Sequence, residues 1–337
     1  MDKKLRSFLY ASFALFAAVI VVPVVVVWFA SDEAKVSVVE KSTDHNKNAI
    51  SLTESSATVA VLRSATETVE TVPLEEYVVG VVASEMPADF EVEALKAQAL
   101  TARTYVVKTK INTPDDAKSD ITDTVQHQVY RNNDELQALW GADYDWKIAR
   151  VTEAVHATAG QILTYEGDPI TAAFFSTSNG RTENSEDYWQ GELPYLRSVE
   201  SSWDIGTPKF DTEMSLPVHE VEEKLGVQLP EGSSIGKILE RTDGGRIAQV
   251  EIAGKKFTGK EVREKLGLRS SDFEFSRSGA EVVFTTKGFG HGVGMSQFGA
   301  HGMAEAGHDY REIVLLYYQG VEVTNADSVL PKMTAQK

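Results

Sequence analysis

The 337-residue sequence contains no cysteine, which excludes disulfide bonds, thiol nucleophiles and thiolate metal ligands. Basic residues are also scarce, because 33 Lys and Arg stand against 50 Asp and Glu, for a net charge of −17. Proteins that bind nucleic acid present a basic surface to the phosphates, so this composition argues against a nucleic-acid partner. A chain without disulfides depends on its packed core for stability, and this one is long enough to form such a core.

One long apolar run lies near the N-terminus, over residues 8–30. It is long enough to cross a bilayer as a single helix. Lys3, Lys4 and Arg6 precede the run, so the positive-inside rule predicts a cytoplasmic N-terminus. The sequence therefore predicts a single-pass protein of the cell membrane with its remaining residues outside. A cleaved signal peptide is the alternative, although its apolar core is normally shorter.

The rest of the chain mixes helical and strand patterns, which predicts an α+β fold with a core interrupted by a smaller α/β subdomain. Residues 203–277 contain one histidine, His219, on an amphipathic helix and show no obvious chemistry. We expect seven segments: a cytoplasmic tail (1–7), a transmembrane helix (8–30), a flexible linker (31–56), the first part of a catalytic core (57–202), a supporting subdomain (203–277), the second part of the core (278–325) and a tail (326–337).

Local patterns predict individual elements of this fold. Asn132 with Glu135, and Thr258 with Glu261, have the spacing of capping boxes at helix N-termini. Gly267 is expected to end the helix that Thr258 begins. The other expected elements are strands over 58–62 and 68–72, a helix over 145–157, a hairpin of 161–165 with 170–176, and helices over 297–306 and 311–318.

A glutamate occupies an apolar position in the first predicted helix of the core. At 100° per residue, Glu85 falls in the middle of the stripe formed by Leu74, Tyr77, Val78, Val81 and Val82. Pro87 is expected to end this helix, which leaves Glu85 in its last turn. Burial and the negative end of the helix dipole both favour the protonated carboxyl, so we predict a raised pKa. A carboxyl of that kind is suited to general acid catalysis.

The next predicted helix carries Lys96 and Arg103 seven residues apart, on one line among apolar and small side chains. Two cations on such a face, beside a buried glutamate, indicate a cleft. The alternative is a partly buried structural ion pair among Glu85, Lys96 and Arg103.

Two further stretches combine flexible backbone with polar side chains. Residues 288–297 alternate glycine with other residues and leave His291 accessible to a substrate, without the spacing of a phosphate or dinucleotide loop. The alternative for this stretch is a tight structural turn. Residues 176–189 place hydrogen-bonding groups before an aromatic pair, as sugar sites do, although a solvated loop has the same composition. The residues in question are Ser176, Thr177, Ser178, Tyr188 and Trp189.

Other chemistries find less support in these residues. A serine hydrolase built from Ser176 or Ser178 with His291 lacks the spacing of a nucleophile elbow. The histidines show no HExxH-like pattern, so no metal and no other cofactor are expected.

These stretches together resemble the SpoIID/LytB family, over about residues 58–323. The matching pieces are LEEY at 74–77, ASEMP at 83–87, EALKAQA at 93–99, ARTY at 102–105, the loop at 176–189, the glycine-rich stretch at 288–297 and YYQG at 317–320. The resemblance implies a peptidoglycan lytic transglycosylase that acts during engulfment in sporulation. Its expected substrate is glycan strands, preferably stripped of peptide by a partner amidase, and its expected products end in 1,6-anhydro-muramic acid.

The resemblance also assigns roles to residues. Glu85 falls on the catalytic glutamate, and Lys96 and Arg103 fall on the cleft residues. Together with the two polar stretches, this gives the expected substrate-binding residues Lys96, Arg103, Ser176, Thr177, Ser178, Tyr188, His291 and Gln297. Expected partners are a membrane-anchored cell-wall amidase and other engulfment proteins. Some relatives bind zinc through cysteine and histidine, which this chain without cysteine does not repeat.

Two alternatives remain open. In the first, the chain is a non-catalytic cell-wall binder that activates an amidase. In the second, it is a glycan hydrolase that pairs Glu85 with a second carboxylate from Glu183, Glu186 or Asp187.

Overall fold

The computed structural model describes residues 57–329, which form a mixed α+β fold of helices and several small sheets, as predicted. The expected transmembrane helix, the linker and the end of the C-terminal tail lie outside the described residues. Within residues 57–329, no helix has both the length and the apolar character needed to span a bilayer.

The described part of the chain contains α1 (Leu74–Glu85), α2 (Val92–Asn112), α3 (Asn133–Trp140), α4 (Tyr144–Ala157), α5 (Ser185–Tyr188), α6 (Val218–Leu225), α7 (Gly259–Leu266), α8 (Gln297–Glu305) and α9 (Tyr310–Tyr317). Its strands are β1 (Thr58–Arg63), β2 (Thr68–Pro73), β3 (Ile121–Thr122), β4 (Gln161–Tyr165), β5 (Asp168–Pro169), β6 (Phe174–Phe175), β7 (Asp211–Pro217), β8 (Gly236–Arg241), β9 (Ile247–Ile252), β10 (Lys255–Phe257), β11 (Phe273–Ser278), β12 (Glu281–Lys287), β13 (Met295–Ser296) and β14 (Glu322–Asn325). The strand orders in the sheets are β2-β1-β3, β14-β4-β5, β13-β6, β11-β12-β7 and β10-β9-β8.

Helix α2 lies at the centre of one hydrophobic core, where it packs against α1, α4, α8, α9 and β4. Small residues such as Ala94, Ala97 and Thr101 are fully buried on it, so neighbouring helices approach closely. The predicted apolar stripe of α1 is also confirmed, because Leu74, Tyr77, Val78, Val81 and Val82 are all buried. Each such side chain stabilises the fold by about 1.5–3 kcal/mol when buried.

A second hydrophobic cluster, with buried residues between 221 and 284, joins α6 and α7 to the sheets β11-β12-β7 and β10-β9-β8. The predicted capping box at its helix α7 is confirmed, since Thr258 accepts from the Glu261 backbone while the Glu261 side chain accepts from the Thr258 backbone. Gly267 ends α7 with φ of +72°, a left-handed conformation that favours glycine. The capping box of Asn132 and Glu135 at α3 is likewise confirmed.

The predicted hairpin of 161–165 with 170–176 is wrong beyond its first residues. Strand β4 pairs with β5 only at Thr164 and Tyr165, and its longer partner is β14. Strand β6 instead runs parallel to β13, at the end of the glycine-rich stretch. The reason lies in Ala173, whose carbonyl accepts from Met295 N at 3.1 Å and from Tyr318 Oη at 2.7 Å. Such distant partners leave no pattern in the local sequence.

Candidate active site

Helix α1 ends at Glu85, as predicted, because Pro87 forces Met86 into an extended conformation with φ −123° and ψ 137°. The Glu85 side chain is half-buried. Its Oε1 accepts a hydrogen bond of 2.7 Å from the backbone N–H of Val129, in the segment between β3 and α3. The carboxyl is therefore held by one backbone donor while part of it stays accessible.

Burial raises the pKa of the Glu85 carboxyl above its usual 4.5, against the opposing effects of the Val129 hydrogen bond and the nearby Arg131 charge. The predicted direction of the shift is confirmed. Within residues 57–329, no lysine, arginine or histidine lies within ion-pair distance of Glu85. A buried carboxyl without an ion-pair partner retains its proton to a higher pH than an exposed one, which suits it to donate that proton.

Lys96 and Arg103 do not join Glu85. The Arg103 guanidinium, which has no exposed surface, forms a bidentate pair with Glu75 at 2.6 and 2.8 Å. Lys96 Nζ pairs with Glu93 at 2.6 Å. The alternative of a structural ion pair among Glu85, Lys96 and Arg103 is therefore wrong, and the buried Arg103 does not line the cleft that the sequence indicated. The pairing with Glu75 was not predicted, because it joins the opposite end of α1 to the middle of α2.

Gln297 connects the glycine-rich stretch to the end of α1. Its Nε2 donates to the backbone carbonyl of Glu85 at 3.0 Å, and the side chain is buried. Ser296 caps α8 just before it, with its Oγ accepting from Gly299 N at 3.2 Å. Gln297 thus fixes the backbone that carries Glu85.

His291 lies in an aromatic cluster. Its ring centroid is 5.6 Å from that of Phe175, 5.7 Å from Tyr188 and 5.1 Å from Trp189. Its Nδ1 accepts from Val293 N at 3.1 Å. Burial, together with two nearby arginines, lowers the pKa of His291 to about 3. The ring is therefore neutral near pH 7, and its contacts agree with the structural-turn alternative.

Arg246 is one of those arginines, and it packs directly on the glycine-rich stretch. A Cβ on Gly292 would lie 2.4 Å from Arg246 Cζ, and Gly292 has φ of +88°. Only glycine permits both this approach and this backbone conformation without strain.

The loop after β6 divides by burial. Ser176 is half-buried, whereas Thr177 and Ser178 are fully buried. Ser178 Oγ donates to Asp204 Oδ2 at 2.7 Å. Ser178 is therefore not placed for direct contact with a sugar, and neither serine hydrogen-bonds to His291 within the described residues. The pairing required by a serine hydrolase is not formed.

Asp204 is the centre of a buried hydroxyl network. Besides Ser178, it accepts from Ser201 Oγ and from Ser296 Oγ, each at 2.6 Å. Burial raises the pKa of the Asp204 carboxyl, which the three hydroxyl groups partly oppose. The network links the loop after β6 to the cap of α8. Sequence reasoning missed Asp204, because no local pattern marks it in a stretch without evident chemistry.

The carboxylates of the hydrolase alternative have other partners. Glu183 is buried, where Arg246 Nη1 lies 3.2 Å from its Oε1. Glu186 pairs with Arg197 at 2.6 Å, and Asp187 accepts from Asn184 at 3.2 Å. In the described part of the chain, none of the three forms a hydrogen bond with Glu85 or shifts its pKa.

Tyr188 contacts two residues of α7. Its hydroxyl accepts from Arg263 at 2.7 Å, and Lys260 Nζ stands 4.4 Å from the ring centroid. This contact covers part of the ring that the sequence assigns to sugar stacking.

The segment that faces Glu85 was also missed. Gln128 is buried and accepts from Tyr77 Oη at 3.2 Å, next to the Val129 N–H that binds Glu85. Arg131 follows two residues later. No local pattern in the sequence marks this segment, since Gln128, Val129, Tyr130 and Arg131 have neither a helical nor a strand period. Within residues 57–329 there is no group of three or more side chains placed to hold a metal ion.

Comparison with known proteins gives one family match, to the SpoIID stage II sporulation protein family, over residues 63–165. Stage II sporulation protein D of Bacillus amyloliquefaciens is 51% identical over 289 residues, covering 85% of this chain and 84% of that protein. The protein of the same name from Bacillus subtilis (strain 168) is 49% identical over 295 residues, covering 87% and 86%. The amidase enhancer of Bacillus subtilis (strain 168) is 30% identical over 304 residues, covering 73% of this chain and 40% of the enhancer.

Proposed function

Because the chain belongs to the SpoIID family of stage II sporulation proteins, we propose that it is a peptidoglycan lytic transglycosylase of the sporulating cell. The observation that carries this proposal is Glu85: a half-buried carboxyl with a raised pKa and no ion-pair partner within the described residues. One such carboxyl is sufficient for lytic chemistry, whereas most glycosidases need two.

The proposed reaction uses Glu85 twice. The protonated carboxyl donates its proton to the glycosidic oxygen as the bond from C1 of muramic acid to that oxygen breaks. The 6-hydroxyl of the same sugar attacks C1, closes the 1,6-anhydro ring and returns its proton to the Glu85 carboxylate. No water is consumed, and the intramolecular nucleophile is already in place. The Val129 N–H at 2.7 Å orients the carboxyl throughout.

The raised pKa sets the expected pH dependence. Cleavage requires the acid form, so the rate falls as the pH rises through the pKa of Glu85. Since that pKa lies above the ordinary 4.5, this fall begins at a higher pH than for an exposed glutamate. The same shift means that Glu85 stabilises the fold below the unfolded-state pKa and loses this contribution as the pH rises through the folded-state value.

The location and partners follow from the same proposal. An anchor at residues 8–30 holds the catalytic part outside the cell membrane, next to the peptidoglycan glycan strands. Protease added to protoplasts should then degrade the part that follows the anchor. Full protection of that part refutes this orientation.

A second function has one supporting observation. The amidase enhancer of Bacillus subtilis is 30% identical over 73% of this chain, which favours activation of a cell-wall amidase as an alternative or additional role.

Digestion of purified peptide-free glycan separates the candidates, with the masses of the products as the readout. Ends with 1,6-anhydro-muramic acid support lytic cleavage, whereas reducing ends indicate a hydrolase. Intact glycan, together with a faster amidase when the two proteins are mixed, indicates an activator.

A further inference from the structure

Phe289, in the glycine-rich stretch, is flanked by two cations. Lys209 Nζ lies 5.6 Å from its ring centroid, and Arg269 Cζ lies 5.2 Å from it. Lys209 also lies 5.5 Å from the ring of Phe298. Cations within about 6 Å of an aromatic ring are attracted to its face, so the rings hold both side chains in place. We call these four residues the cation–aromatic patch.

The two cations lack carboxylate partners. Within residues 57–329, neither Lys209 nor Arg269 forms an ion pair, unlike Arg63 and Arg197, which each pair with more than one carboxylate, although several other cations of these residues are also unpaired. The chain has 17 more acidic than basic residues, so a cation has many possible partners. Lys209 is half-buried and Arg269 is exposed, so two cations beside one aromatic ring keep their charges available to an external anion.

The cation–aromatic patch is continuous with the elements that hold Glu85. Phe298 directly follows Gln297, whose amide binds the Glu85 carbonyl at 3.0 Å. The backbone N–H of Phe298 donates to Ser176 O at 3.0 Å, and Phe289 exchanges backbone hydrogen bonds with Thr177. The patch therefore adjoins both α8 and the loop after β6.

The cation–aromatic patch has the two features of a binding site for an acidic sugar. Partly exposed phenylalanine rings offer an apolar surface to the C–H faces of a pyranose. The lysine and arginine offer charge-assisted hydrogen bonds, which are about twice as strong as neutral ones. Muramic acid carries a lactyl group whose carboxyl is masked as an amide when peptide is attached and is an anion when the peptide is removed.

We propose that Lys209 and Arg269, held by Phe289 and Phe298, form a subsite that binds the free lactyl carboxylate of a muramic acid residue next to the cleavage position. The proposal rests on the proposed function, because it takes a glycan strand as the ligand. It makes the patch the element that distinguishes peptide-free from peptide-bearing strands.

The test compares two forms of one glycan: peptide-free strands with free lactyl carboxylates, and the same strands with these groups converted to primary amides. Binding of labelled strands to the full-length protein is measured at low salt, in the Glu85→Gln background so that no cleavage interferes. The wild-type patch should bind the carboxylate form more tightly. Adding Lys209→Gln and Arg269→Gln should weaken binding of the carboxylate form about tenfold or more, and leave binding of the amide form nearly unchanged.

The single variant Arg269→Gln guards against misfolding, because this side chain is exposed and should give a smaller loss of the same kind. Lys255→Gln is the matched control, since Lys255 also stands over a phenylalanine ring, 5.1 Å from that of Phe257, in the second hydrophobic cluster. Adding Lys255→Gln to the Glu85→Gln protein should leave the binding of both glycan forms unchanged.

Equal losses on both glycans, or no loss on either, overturn the subsite. Because the readout is binding, it does not depend on whether Glu85 is catalytic. If the binding assay shows no preference for the carboxylate form, but the protein with Glu85 intact still forms anhydro products, the subsite is refuted and the proposed function stands. If the carboxylate form binds more tightly, but the protein with Glu85 intact does not cleave the glycan, only the lytic activity is refuted.

Discussion

Replacing Asp204 with alanine removes the acceptor of three buried hydroxyl groups, those of Ser178, Ser201 and Ser296, at 2.6–2.7 Å. A buried donor left without a partner costs about 1–3 kcal/mol. Each hydroxyl has a second, mostly longer contact, such as Ser178 Oγ to Ser201 O at 3.3 Å, and can partly turn to it. We therefore take the lower end for each group and expect a loss of about 3 kcal/mol in the free energy of unfolding.

Asp204→Asn should be milder, since the amide keeps the size of the carboxyl and one acceptor oxygen but loses the charge. We expect it to lower the free energy of unfolding by about 1–2 kcal/mol. Both variants should also reduce cleavage, because Ser296 caps α8 and so places Gln297 against Glu85.

Urea denaturation followed by circular dichroism measures the effect. Asp211→Ala is the control, an exposed aspartate of β7 that should change stability by less than about 0.5 kcal/mol. The reasoning fails if Asp204→Ala denatures within about 0.5 kcal/mol of the wild type, because the hydroxyl network then contributes nothing that needs the carboxylate.

Three further changes test other contacts. Glu75→Gln leaves the buried Arg103 without its carboxylate and should lower the free energy of unfolding in urea by about 3 kcal/mol. An unchanged midpoint would show that the backbone carbonyls of Val155 and Gln161, which also accept from Arg103, suffice. The wild type should lose stability as the pH falls from 6.5 towards 3, because His291 is protonated in the unfolded chain but not in the folded protein. His291→Gln should lose less stability over this range. Equal slopes of the denaturation midpoint against pH for the two proteins would contradict this. Gly294→Ala places a Cβ 2.1 Å from Ala173 O at φ of +79° and should lower the melting temperature by several degrees, whereas an unchanged melting curve would refute the close packing of β13 on β6.

Local patterns predicted much of the fold correctly, for reasons that the structure makes plain. The apolar stripe of α1, its end before Pro87 and the two capping boxes each depend on residues within one or two helical turns. Glu85 stood out for the same reason, because a carboxylate on an apolar stripe is visible within one helix.

The pairings between distant segments were the part that the sequence could not reveal. The seven-position spacing of Lys96 and Arg103 placed them on one helical line, yet they pair with Glu93 and Glu75. Asp204 gathers serines from three separate segments, and Ala173 binds residues more than a hundred positions away. Such contacts depend on how the helices and strands pack, so the spacing of residues in the sequence does not predict them.

The central claim is that Glu85 donates the proton that breaks the glycan strand, and Glu85→Gln tests it most directly. The amide accepts the Val129 N–H as the carboxyl does and breaks no ion pair, so the melting temperature should stay close to that of the wild type. Glu76→Gln is the matched control, an exposed glutamate on the same helix. Cleavage of peptide-free glycan and thermal melting are measured on one preparation. We predict 1,6-anhydro products from the wild type and from Glu76→Gln, and a rate about a hundredfold or more lower in a folded Glu85→Gln protein. Full activity of folded Glu85→Gln would contradict the account.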